Sequence, residues 1–129
     1  MTQDVQVTTE KLVMPGLTID QFGISLTGAL GTVQTLANTN TITVAQNQSA
    51  VRVTAAGAVT GIIIAPGVRA YQLLVIIHEG AAANTLTMAA AGTSNVAGGV
   101  TCVLSGLAAH IMVWDSITAL WSQVGPATN

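Results

Sequence analysis

From Gly31 onward the chain alternates apolar and polar positions in short runs rich in Val, Ile and Thr, separated by Gly, Asn and Ala-Gly clusters. A period of two puts successive side chains on opposite faces of a strand. The pattern therefore predicts strands over 31–36, 41–44, 50–54, 59–64, 72–78, 85–88, 100–104, 109–114 and 119–124. Short strands at spacings of about ten residues point to a sandwich or barrel. The fold expected is all-β, an antiparallel β-sandwich or jelly-roll-like domain. Helical periodicity is nearly absent, a single short turn over 23–30 being the one candidate.

The strands divide into two kinds. Thr41-Ile42-Thr43-Val44 and Val51-Arg52-Val53-Thr54 alternate as half-buried strands do, whereas Ile62-Ile63-Ile64 and Leu73-Leu74-Val75-Ile76-Ile77 are apolar on both faces. A doubly apolar strand in one small domain has a face more than its own core can use. The spare face marks a subunit interface, for which Ile62, Ile64, Leu74, Ile76, Trp114 and Trp121 are the expected residues. The tryptophans could equally pack in the core of a terminal hairpin. Arg52 joins this set because a charge in apolar surroundings needs a partner, either Glu79 or Asp115 across an interface, or else solvent at a rim.

Turn chemistry agrees with the strand spacing. Asn38-Thr39-Asn40, Asn47-Gln48-Ser49, Ala56-Gly57, Pro66-Gly67, Gly92-Thr93-Ser94-Asn95 and Gly98-Gly99 all fall between strands. Trp114-Asp115-Ser116-Ile117-Thr118 reads as a hairpin loop with Asp115 accepting backbone N–H groups. Residues 1–20 differ in kind: they carry four of the eight charges, little apolar periodicity and a Pro15-Gly16 break. They are expected to form an extended N-terminal arm ahead of a domain over 21–129, with Thr2, Asp4, Glu10, Lys11 and Asp20 as candidate contacts to a neighbouring surface.

Composition sharpens this picture. The chain is 6% charged, against about 25% for an average soluble domain. Between Gly80 and Trp114, thirty-five consecutive residues carry no formal charge. A mean hydropathy of +0.64 with so thin a polar coat implies a membrane or a surface covered by other protein. A spanning helix needs about 20 apolar residues in a row. The best stretch, 58–77, is broken by Thr60, Gly61, Pro66, Gly67, Arg69 and Gln72, so no spanning helix and no membrane partner are expected. The polar start lacks the apolar run of a signal peptide, which points to a product used in the cytoplasm where it is made.

Little in the sequence can do chemistry. Three basic residues, Lys11, Arg52 and Arg69, cannot neutralise a run of phosphates, so nucleic acid is not an expected partner. His78 and Glu79 are adjacent and point to opposite strand faces, and His110 opens an apolar strand. These two histidines with Cys102 between them match no compact metal-ligand spacing. Cys102 lies among Val100, Val103 and Leu104, as a small core hydrophobe would. No enzyme, cofactor or metal site is expected.

The order Val51-Arg52-Val53-Thr54, Gly57-Ala58-Val59-Thr60-Gly61-Ile62-Ile63-Ile64, Pro66-Gly67 and Gln72-Leu73 resembles small virion-associated proteins of tailed bacteriophages. Leu86-Thr87-Met88-Ala89, Gly92-Thr93-Ser94-Asn95-Val96-Ala97 and Val113-Trp114-Asp115 with Leu120-Trp121 extend the resemblance over about residues 30–124. It implies a capsid decoration (cement) protein or a head or tail-fibre domain, mostly β and commonly a homotrimer. The expected partners are then other copies of the chain and the major capsid protein, on a capsid surface. The competing expectation is a fibre or receptor-binding module that recognises host glycans, with Trp121 and Asp115 as the aromatic and polar contacts. A small enzyme using His78 or His110 is the third class.

Overall fold

A computed structural model describes residues 11–14, 17–20, 23–25, 31–46 and 48–124. Three short strands, β1 (Lys11–Met14), β2 (Leu17–Asp20) and β3 (Gly23–Ser25), form an antiparallel sheet in which Lys11 lies opposite Asp20 and Thr18 opposite Ser25. The stretch expected to be an arm thus contains paired strands over its described part. The turn of helix expected over 23–30 is strand at Gly23–Ser25, and residues 26–30 lie outside the described residues.

The main body comprises β4 (Gln34–Leu36), β5 (Thr41–Ile42), β6 (Ala50–Ala55), β7 (Val59–Ile64), β8 (Leu73–His78), β9 (Thr85–Met88), β10 (Val103–Ser105), β11 (Ala108–Asp115) and β12 (Leu120–Val124). Most follow the expected strands within a residue or two, because the alternation that defines them is a local property of the residues, but those expected over 31–36 and 41–44 are strand only at Gln34–Leu36 and Thr41–Ile42. The expected strand over 100–104 starts later, since Gly99–Thr101 makes a turn of 3₁₀ helix first. One four-residue helix, α1 (Ala91–Ser94), closes on Asn95 in the left-handed region (φ 59°), a position asparagine tolerates better than most residues.

Two mixed sheets result, one of five strands in the order β12-β11-β8-β6-β4 and one of four in the order β10-β9-β7-β5. From β4 to β9 the chain visits the two sheets in turn. Each strand therefore returns beside its predecessor running the same way: β4, β6 and β8 pair in parallel, as do β5, β7 and β9. The antiparallel pairing expected from the sequence is corrected here for the β4–β9 strands, which pair in parallel, while the all-β class holds. Antiparallel pairing is confined to β1–β3 and to the later pairs β9–β10, β8–β11 and β11–β12. The reason is connectivity: a crossover through the opposite sheet reverses direction twice, whereas a hairpin reverses it once.

Inward side chains of both sheets form one core that includes Ile42, Val51, Val53, Ile62, Ile64, Leu74, Ile76, Leu86, Met112 and Trp121. Amide side chains pin the corners where the chain passes between sheets. Asn38 Oδ1 accepts the Thr60 N–H (2.9 Å), Asn84 Nδ2 donates to the Ala55 carbonyl, and Asn95 Nδ2 donates to the Ile64 carbonyl (2.8 Å). Each joins one turn of the chain to the next and satisfies a backbone group that no ladder reaches.

Trp114 and Trp121 face each other across β11 and β12, edge to face with ring centroids 5.2 Å apart. Trp121 Nε1 donates to the Ala65 carbonyl (2.9 Å), and its backbone bonds Asn95 and Ala97, so it ties the five-stranded sheet to the end of β7 and to α1. Trp114 lies against Gly67, where a Cβ would fall 2.3 Å from the indole ring; only glycine leaves that space.

Candidate functional site

Parity along β8 separates two chemistries. Leu74, Ile76 and His78 point into the core, and Leu73, Val75 and Ile77 point out. On β11 the inward residues are Met112 and Trp114 and the outward ones are Ile111 and Val113. The register sets Leu73 opposite Val113, Val75 opposite Ile111, and Ile111 opposite Val124 of β12. A continuous aliphatic patch covers the middle of the outward face, with Leu73 51%, Ile111 43% and Val124 53% exposed.

Charge lies only at the ends of this patch. Arg52 of β6 neighbours Ile77 and grips Glu79 with two hydrogen bonds, Nε to Oε1 at 2.5 Å and Nη2 to Oε2 at 3.0 Å. The Glu79 carboxylate raises the Arg52 pKa above its ordinary value through that hydrogen bond and the charge attraction. At the opposite end Asp115 closes the β11–β12 turn, accepting the Ile117 N–H (2.9 Å) and the Thr118 hydroxyl (2.8 Å). These hydrogen bonds, the Ile117 N–H first, hold its carboxyl below the usual carboxylate range. The expected loop with Asp115 as acceptor is present.

The outward face of the four-stranded sheet is different in kind. Thr41, Thr85, Thr87 and Ser105 lie there with Ile63 and Val103, and the register sets Thr87 opposite Val103 and Thr85 opposite Ser105.

The residues expected at an oligomer interface are placed as follows. Ile62, Ile64, Leu74, Ile76 and Trp121 are fully buried and Trp114 nearly so, all within the chain's own core. Their outward neighbours carry the exposed apolar surface instead. The doubly apolar run of β8 has an outward apolar side, Leu73, Val75 and Ile77, of the opposite parity to the residues named. Arg52 has its carboxylate partner within the same chain. Thr2, Asp4 and Glu10 lie outside the described residues, and Lys11 and Asp20 are described only as paired positions of β1 and β2. Trp121, offered for glycan stacking, is buried. The exposed aromatic near Asp115 is Tyr71, 80% exposed and held in the left-handed region (φ 58°), whose N–H donates to the Trp114 carbonyl. Sequence reasoning missed Tyr71; its place beside Gln72 at the start of a strand gave no periodic signal.

The groups capable of chemistry stay apart. His78 is buried, and neither ring nitrogen has a hydrogen-bond partner. Glu79 points the other way, as strand alternation requires. His110 Nε2 lies 3.1 Å from the Ser105 carbonyl. Cys102 is buried, and burial pushes its thiol pKa up, which disfavours the reactive thiolate. Among the described residues no group of three or more His, Cys, Asp or Glu could hold a metal ion, and no helix is long and apolar enough to cross a membrane. Compared with known proteins, the chain matches no family model, no curated protein and no solved structure.

Proposed function

We propose that this chain is a structural virion protein. In this reading it binds the outside of an assembled phage capsid as a homo-oligomer, three copies being the expected number, and stabilises the shell against the major capsid protein's dissociation. The observation that carries the reading is the aliphatic outward face of the five-stranded sheet on a chain with only eight charges. Contiguous apolar surface of this kind marks an interaction site. A decoration protein acts by linkage: it binds assembled neighbours better than separated ones, so mass action favours the shell. No step of this function needs a nucleophile, a metal or a cofactor. The reading places the protein on the capsid surface after synthesis in a host bacterium, with Thr2, Asp4, Glu10, Lys11 and Asp20 of the N-terminal segment reaching the shell.

Cosedimentation of the full chain with phage shells stripped of their outer proteins tests it. Saturable binding to shells and none to dissociated capsid protein is the expected result; equal binding to both, or to neither, overturns it.

Tyr71 favours a second reading, a fibre module that recognises host glycans, because its 80% exposed ring, on the residue whose N–H donates to the Trp114 carbonyl, offers a stacking surface. Binding to a glycan array that is lost in Tyr71→Ala would select it over the capsid reading.

A further inference from the structure

We infer that His78 is an acid-sensitive latch beneath the β8–β9 corner: the fold holds its ring only without a charge, and a proton on the ring opens that corner. This device is independent of what the protein binds. His78 ends β8 with its ring turned into the molecule, 1% exposed, and neither Nδ1 nor Nε2 has a hydrogen-bond partner. A buried polar group without a partner is unfavourable, and a buried charge without one is far more so. The chain above the ring is fastened on both sides. A Cβ at Gly80 would fall 2.9 Å from Nε2, so the corner lies directly against the imidazole. The Glu79 N–H donates to the Val53 carbonyl (2.8 Å), which ties the corner to β6. The Leu107 N–H donates to the Gly80 carbonyl (3.0 Å) and the Gly106 N–H to the Asn84 carbonyl (2.8 Å), which ties it to the β10–β11 turn. For water to reach the ring, bonds of this set must part.

Among the described residues no carboxylate is placed to receive a charge on this ring. Within its own sheet His78 is flanked by Val53 of β6 and Ala108 of β11, its register partners. Glu79 takes the opposite parity and is held by Arg52. Asp115 lies at the far end of β11, seven residues or about 24 Å from Ala108. On the opposite sheet, Val59–Ile64, Thr85–Met88 and Val103–Ser105 carry no titratable side chain. The titratable groups of the inward side bring no negative charge. His110, two residues beyond Ala108, has Nε2 3.1 Å from the Ser105 carbonyl, and burial keeps the Cys102 thiol neutral. The sign follows from these surroundings. Opening the corner takes up a proton once the pH is below the imidazole value of an unfolded chain, about 6.5, so stability is lost towards acid. Each further pH unit then multiplies the opening equilibrium by about ten.

Amide hydrogen exchange of the full-length protein by NMR, expressed as protection factors at about pH 7.5 and about pH 5, is the test. Protection of the Glu79, Gly106 and Leu107 amides should fall by about tenfold or more at the lower pH. His78→Phe, which fills the same space with a ring that takes no proton, should remove that fall, and His110→Gln should keep it. Should phenylalanine prevent folding, His78→Leu serves instead. A third readout needs no substitution: the nitrogen resonances of the His78 ring in the intact protein should remain those of a neutral imidazole for as long as the three amides stay protected. Unchanged protection of the parent between the two pH values overturns the inference. So does an equal fall in a folded His78→Phe or His78→Leu, loss of the fall in His110→Gln, or a His78 ring that charges while the corner amides remain protected.

Discussion

The two sheets are alike inside and unlike outside. Inward, both present aliphatic side chains to one core; outward, the five-stranded sheet shows Leu73, Val75, Ile111 and Val124 across β8, β11 and β12, where the four-stranded sheet shows Thr41, Thr85, Thr87 and Ser105 interspersed with Ile63 and Val103. The shared core is built from the inward halves. The difference between the outward halves is therefore about surroundings: threonine at a strand position keeps β-propensity while offering water a hydroxyl, and leucine or isoleucine there offers water nothing.

The largest test of this contrast sits on two adjacent residues. Leu74→Ala should cost about 2–5 kcal/mol in chemical denaturation, because Leu74 is fully buried and its loss leaves a cavity. Leu73→Ala, one residue away on the outward face, should cost less than about 1 kcal/mol in dilute solution. Equal losses at the two positions would mean that the parity assigned to β8 is mistaken. Next in size is Trp121→Phe, which removes the donor to the Ala65 carbonyl that ties the sheets at that corner. An unfolding midpoint lower by the equivalent of about 1–3 kcal/mol is expected.

A smaller effect sharpens the contrast from the other side. The double change Thr85→Val and Thr87→Val gives the four-stranded sheet an aliphatic patch of its own, and should alter unfolding free energy by less than about 1 kcal/mol while lowering solubility. Unchanged solubility would show that outward chemistry does not govern association. Asp115→Asn has the smallest expected effect. The Asp115 carboxyl has a depressed pKa in the folded chain, so ionised Asp115 stabilises the fold above the unfolded carboxylate pKa and loses that contribution as pH falls through the folded one. Melting temperatures of parent and variant should differ slightly at neutral pH and converge in acid; a gap that widens in acid would contradict the hydrogen bonds drawn to Asp115.

Strand positions were legible because alternation is local. Val51-Arg52-Val53-Thr54 carries its own in-out phase, and the phase holds in the fold, with Val51 and Val53 buried. Ile62-Ile63-Ile64 and Leu73-Leu74-Val75-Ile76-Ile77 carry none, since both parities are apolar. Their phase is set by pairing, through contacts such as Val51 with Ile76, and that long-range register is not written in either segment alone. This is why an outward apolar side could be inferred for β8 while the residues named came from the wrong parity. Parallel pairing was hidden for the same reason: a crossover through the other sheet and a hairpin begin with similar turn residues. α1 escaped because four residues are too few to show a helical period.

The winding of the chain between its two sheets has a consequence for how such a body can change size. Successive turns repeat along the stack, Gln34 beside Val53 and Val51 beside Ile76, at roughly 20–25 residues per turn. Inserting or deleting one whole turn adds or removes a parallel layer in both sheets at once and leaves every neighbouring layer a mate to lie on. Thickness in a molecule built this way is a modular quantity, adjustable by duplicating one short stretch of chain without redrawing the rest.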